Sequence, residues 1–226
     1  MRRAGLAATV TLGLVAPAFA QALPATRAGG IEVSFGGGVL GGSAAIARDA
    51  SLRANTSLGN ASPLFTTSTR FAPAPLIEAR MGMPVAHRYI IEAYVAVTRP
   101  LLETSLESDT EGAPSLTAVE RVEQFVVGAG LVVGLDQWRV GSWVPVAEVG
   151  AGYLRQLHEG RTLVEEGQVY YVGGGVRRSL LSRARGVVRA IGVRADARYS
   201  LLSGGVTVTD GLQSRVSVTA GVFVIF

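Results

Sequence analysis

The chain contains no cysteine. That excludes a disulfide-stapled exported domain and any thiolate chemistry. It contains no lysine either: all 21 basic side chains are arginine. The runs GGG at 36–38 and 173–175 therefore have no lysine to complete a phosphate-binding loop. Histidines number only two, His87 and His158, and aromatic residues make up 7%. Long apolar runs are missing as well. A membrane-spanning helix needs roughly 18–20 consecutive apolar residues, and no segment after the first residues supplies them. Yet the chain is 48% hydrophobic and has 29 glycines. The apolar surface has to be placed by something other than a membrane helix.

The first residues, MRRAGLAATVTLGLVAPAFAQA, have a different design. Arg2 and Arg3 precede a short apolar stretch rich in Ala, Leu and Val, and Ala18-Phe19-Ala20 gives a small–x–small site before Gln21. This order predicts a secretory signal peptide over residues 1–20 and a single domain over 21–226. The competing reading is a buried N-terminal helix. Removing Arg2 and Arg3 lowers the formal charge of +4 by two. No nucleic-acid partner is expected for an exported chain so weakly charged.

From residue 31 onward the dominant signal is alternation. In 31–40, Ile31, Val33, Phe35 and Val39 oppose Glu32, Ser34, Gly36 and Gly38. In 76–83, Ile77, Ala79, Met81 and Met83 oppose Glu78, Arg80 and Gly82; in 89–98, Ile91, Ala93, Val95 and Val97 oppose Glu92, Tyr94, Ala96 and Thr98. The same period runs through 121–135, 143–155, 168–178, 189–199 and 215–226. Soluble strands average about five or six residues, whereas a tilted strand crossing a bilayer takes about 9–11. Eight such segments predict an all-β protein, an eight-stranded antiparallel transmembrane up-and-down β-barrel. An open sheet edge in hydrocarbon leaves backbone groups unpaired, so the last strand is expected to close on the first.

Connection lengths agree. Short links near 84–88, 136–142 and 179–188 alternate with longer ones near 41–75, 99–119, 156–167 and 200–214. Short periplasmic turns and long outer loops are the expected asymmetry, with both termini periplasmic. The two longest links are either ordered extensions of the hairpins or mobile. Pro145 conflicts with a strand interior, and is expected at a strand end or a bulge.

The polar rows carry both signs: Glu32, Glu78, Glu92, Glu148 and Asp196 against Arg80, Arg194 and Arg198. They are expected to face the lumen and pair there, as a plug rather than an open pore. The competing reading is the solvated face of a soluble sheet. Inward glycines would leave room for larger groups or for water. Tyr89, Trp138, Trp143, Phe223 and Phe226 near one end, and Tyr153, Tyr170 and Tyr199 near the other, are expected in interfacial rings.

The strand ending on Phe226, the glycine-rich segments VSFGGGV and YYVGGGV, and VAEVGAGYLRQL together resemble the small bacterial outer-membrane β-barrels, of OmpA/OmpX-like or porin-like type. The resemblance covers nearly all of 21–226. It implies an outer-membrane location, lipid around the barrel, and a recognition signal for the barrel-insertion machinery in Val218, Ala220, Val222, Val224 and Phe226. It brings no catalytic motif and no cofactor.

Chemistry-bearing residues are sparse. His87 and His158 fall at opposite barrel ends, which argues against a shared metal. His158-Glu159 with Ser200 or Ser203 is the only arrangement that suggests a deacylase, against the ordinary reading of His158 as a loop histidine. Arg177, Arg178, Arg183, Arg185 and Arg189 gather near the third short link, either to meet acidic headgroups or a periplasmic partner or simply as a solvated turn. The leading expectation is a monomeric, non-catalytic structural or interaction scaffold that holds four surface loops outside, and the sequence identifies no ligand for them. The alternatives are a narrow pore, a lipid-modifying enzyme and a secreted soluble β-sandwich.

Overall fold

The computed structural model describes residues 30–43, 46–53, 61–107, 114–159, 163–183, 186–206 and 212–226. The leader expected over residues 1–20 lies outside them. Among the described residues twelve strands build two sheets. Eight of them close a barrel: β1 (Glu32–Leu40), β4 (Ala74–Ala86), β5 (Tyr89–Thr98), β8 (Glu123–Gly134), β9 (Val144–Leu157), β10 (Val164–Ser182), β11 (Ala190–Gly204) and β12 (Gln213–Ile225). The order around the barrel is β1-β12-β11-β10-β9-β8-β5-β4, every pair antiparallel, with β1 also paired to β4. These are the eight alternating segments of the sequence. Closure runs through the pairing of Glu32 with Ile225 and of Leu40 with Ser217. No backbone edge of the barrel is left open.

The barrel is inverted relative to a soluble protein. Val33, Phe35, Ile77, Met81, Val95, Val127, Val149, Val172 and Val218 are exposed on the outside, while Glu78, Arg80, Glu92, Glu148, Asp196 and Arg198 are buried inside. Only a hydrocarbon surround makes that distribution favourable. The chain thus crosses a membrane with strands.

The turns at one end are short. His87 and Arg88 alone join β4 to β5. Between β8 and β9 lie a single 3-10 turn (Asp136–Trp138) and a tight turn in which Val140 and Trp143 exchange backbone hydrogen bonds of 3.1 Å. Gly141 takes φ 59° there, a conformation that glycine adopts without steric cost. Pro145 is the second residue of β9, at this same end; its carbonyl accepts from Leu135 N–H at 2.9 Å. The missing N–H is thus confined to a strand terminus.

At the other end the two longest links are folded. β2 (Ile46–Arg53) and β3 (Ala61–Phe71) lie between β1 and β4, and β6 (Leu101–Glu107) and β7 (Leu116–Arg121) lie between β5 and β8. Together they form a second sheet of order β2-β3-β6-β7. This sheet continues the β4–β5 hairpin beyond the barrel. The breaks between the two sheets fall at Ala72-Pro73, at Arg99-Pro100 and at Val122. A proline has no N–H for the ladder, so it interrupts pairing where it stands. Bonds across the joint include Ala72 N–H to Leu101 O at 2.8 Å, Val122 N–H to Pro100 O at 3.0 Å, and Phe71 N–H to Ser43 Oγ at 2.9 Å. Phe71, Pro100 and Val122 are fully buried beneath it.

Aromatic placement differs from expectation at one residue. Tyr89, Trp138, Trp143 and Phe226 are exposed near the short-turn end, and Tyr153, Tyr170 and Tyr199 toward the other. Phe223 is instead 1% exposed and faces the lumen. It shares the inward parity of Ser217, Thr219 and Gly221, and Gly192 on the neighbouring strand leaves the space its ring occupies.

Candidate functional site

The lumen has three tiers, each set by inward positions of the alternating strands. Nearest the short-turn end, Arg177 pairs with Glu32 and its guanidinium lies 4.6 Å from the Phe223 ring centre. Arg177 thus leaves the arginine group of the third short link; Arg178 stays outside it, 5.7 Å from the Trp143 ring.

The middle tier is a dense ion cluster. Arg80 pairs with Glu78, and its Nη1 reaches Glu92 at 3.2 Å, Glu148 at 3.4 Å and Asp196 at 3.4 Å. Thr219 Oγ1 accepts from Arg80 Nη2 at 3.2 Å. Arg194 donates from Nη1 to Glu92 at 2.8 Å and from Nε to Asp196 at 2.9 Å. Arg198 grips Glu148 side-on, Nε to Oε1 at 2.7 Å and Nη2 to Oε2 at 3.0 Å, and donates from Nη1 to Glu78 at 3.1 Å. All eight charged residues singled out in the sequence therefore converge on one buried cluster, with Arg177 and Thr219 added. Five carboxylates face four guanidiniums. Burial of so many charges is tolerable only because each is paired and hydrogen-bonded.

Two tyrosines stand on the cluster. Arg198 lies 4.9 Å from the Tyr94 ring and 4.7 Å from the Tyr171 ring, and the rings meet edge to face at 5.5 Å. Glycine makes their room. A β carbon at Gly128 would lie 2.6 Å from Tyr94, and one at Gly150 would lie 2.5 Å from the Tyr171 hydroxyl.

The third tier, toward the extension sheet, is apolar: Leu76, Ala96, Val126, Leu154, Val169 and Leu202 are buried with the two tyrosines. A cavity lies among them. Above it Gln156 donates to Gln124 at 3.0 Å, and Arg215 donates from Nη1 to Gln124 at 3.2 Å and lies 4.1 Å over the Phe71 ring. Sequence reading missed this tier. Val126, Leu154 and Leu202 stand at inward positions, where alternation alone suggests a polar row. Its only signal is that both parities are apolar along the outer halves of the strands.

The remaining candidates lie apart. Val218, Ala220 and Val222 are exposed on the outer face of β12, Phe226 is exposed just beyond it, and Val224 is half-buried. His87 is exposed in the β4–β5 turn. His158 sits at the far end, its Nδ1 2.7 Å from Glu120 and its Nε2 3.7 Å from Glu165. Both neighbours are carboxylates. Among the described residues no hydrogen bond joins His158 to Ser200 or Ser203, and Ser200 lines the cavity instead. Among the described residues, too, no group of His, Asp and Glu is arranged to hold a metal.

No protein-family model matches the sequence, and no curated protein matches it. Solved structures do. The chain is similar to the outer membrane protein OprG from Pseudomonas aeruginosa, with a TM-score of 0.50 and 12% identity over 88% of this chain and 96% of that one. Ail, the attachment invasion locus protein of Yersinia pestis, matches at TM-score 0.35 and 11% identity, over 86% of this chain and 98% of that one. The outer membrane protease OmpT from Escherichia coli matches at 0.39 and 10%, over 88% and 98%. The last two are too distant to carry an argument. The first likeness, with the closed sheet and its apolar outer face, makes the fold of this chain that of a small outer-membrane β-barrel.

Proposed function

We propose that this chain is a structural or interaction barrel of the outer membrane, a plugged, non-catalytic scaffold that holds a folded sheet above the membrane surface. The observation that carries the reading is the ion cluster around Arg80, Arg194 and Arg198, which crosses the lumen from strand to strand. The extension sheet supplies the interaction part. Among the described strands, β2 and β7 each have one edge without a neighbour, the kind of edge to which another chain adds a strand.

Orientation is part of the proposal. The start of β1 and the end of β12 lie together at the short-turn end, which supports both termini in the periplasm and the extension sheet outside the cell. By the same reading residues 1–20 are a removable leader, the barrel domain is 21–226, and lipid surrounds a monomer. Val218, Ala220, Val222 and Val224 of β12, with Phe226 just beyond it, serve the insertion machinery as its recognition row.

Planar-bilayer recording tests the plug. The unaltered protein is expected to give no steady channel. Replacing Glu78, Arg80, Glu148 and Arg198 together by Ala is expected to give a measurable conductance. Stepwise channels from the unaltered protein would overturn the plug and favour a narrow pore.

A further inference from the structure

Arg215 is a buried cation without an ion-pair partner among the described residues. It is 2% exposed. Its Nη1 is used by Gln124 at 3.2 Å, while its Nε and Nη2 are buried and have no hydrogen-bond partner among the described residues. Those two nitrogens are the side-on pair that Arg198 presents to Glu148 in the tier below, at 2.7 and 3.0 Å. Their spacing matches the two oxygens of one carboxylate. The carboxylates of the ion cluster give these N–H groups no acceptor. A buried donor left unmatched carries a desolvation cost that a bound acceptor would remove.

Arg215 also lines the cavity of the apolar tier. The space open to the centres of water-sized molecules is about 50 Å³, several times what one water requires. Leu76, Ala96, Val126 and Leu202 form its apolar wall, and the Tyr94 and Tyr171 rings line it together with Glu78 and Arg198 of the ion cluster. A purely hydrated pocket does not call for such a wall. A guanidinium fork at one end and an apolar wall beyond it describe a small amphiphilic anion.

We propose that the outer half of the lumen is a binding site for a short-chain monocarboxylate, its two oxygens on Nε and Nη2 of Arg215 and its alkyl tail between Leu76, Ala96, Val126 and Leu202. The site is additional to the scaffold reading and stands whether or not the barrel conducts.

The test uses the full refolded protein in lipid nanodiscs, with butyrate as the probe and butyramide as its uncharged match. Calorimetry is expected to show butyrate binding at least about tenfold tighter than butyramide, the difference that charge-assisted hydrogen bonds supply. NMR is expected to show the Arg215 Nε–H resonance moving with butyrate. Arg215→Gln is expected to erase the preference. Ala96→Leu, which fills the cavity and leaves Arg215 in place, is expected to abolish butyrate binding. If Arg215→Gln does not fold, the unaltered protein and Ala96→Leu decide the matter. Equal affinity for the two probes, an unmoved Nε–H resonance, or full binding by Ala96→Leu would each overturn the proposal.

Discussion

Glu148 shows what a single side chain carries in this barrel. It is 2% exposed and holds the Arg198 fork while also reaching Arg80. Glu148→Gln removes the charge that holds the Arg198 fork and leaves Arg198 with Glu78 as its near carboxylate, with an expected loss of about 1.5–3 kcal/mol. Adding Arg198→Met is expected to recover part of it. Urea unfolding in lipid vesicles reads both, and an unchanged midpoint for Glu148→Gln would show the cluster contributes nothing. Glycine gives a second contrast. A β carbon at Gly150 meets both the Ala129 carbonyl and the Tyr171 ring, whereas one at outward-facing Gly37 meets nothing closer than 3.6 Å. Gly150→Ala is expected to cost about 1–3 kcal/mol by overpacking. Gly37→Ala is expected to stay within about 0.5 kcal/mol of the unaltered protein. Similar midpoints for the two would remove the role given to the tyrosines.

At the scale of elements, the two sheets are joined by few bonds and are expected to respond separately. Thr104 lies in β6, paired to Thr69 on β3 and to Ala118 on β7. Thr104→Pro removes a ladder donor and clashes in the middle of that sheet, a cost of about 3 kcal/mol. Hydrogen exchange is expected to quicken in β3, β6 and β7 and to stay slow in the barrel strands. Loss of protection in β4 and β5 as well would show that the sheets fold as one unit. The eight staves were legible because their alternation is long and regular. The extension strands were not. Residues 61–71, for example, read ASPLFTTSTRF, with a proline and runs of threonine and serine that suit either a loop or a solvent-facing strand. What makes β3 a strand is its neighbours β2 and β6, which no local pattern announces.

For the whole molecule, the outer face is the decisive surface. Val218 is 56% exposed, and on a soluble protein Val218→Arg would change stability by no more than about 0.5 kcal/mol. On a barrel in lipid the same change is expected to cost about 2–4 kcal/mol near mid-membrane. Unfolding from vesicles measures it, and a near-zero effect would count against the membrane reading. The period-two pattern by itself determined the eight strands, their inward and outward faces, and hence a closed barrel with charges inside. It did so because side-chain direction in a strand depends only on parity. Position along the barrel axis and across the lumen depends on register and closure, which bring residues more than a hundred positions apart together, as with Arg194 and Glu92 or Arg80 and Thr219. Only the tertiary structure therefore decided that the charges of different strands gather in one cluster, that the outer tier is apolar, and that Arg215 stands there with two N–H groups unmatched among the described residues.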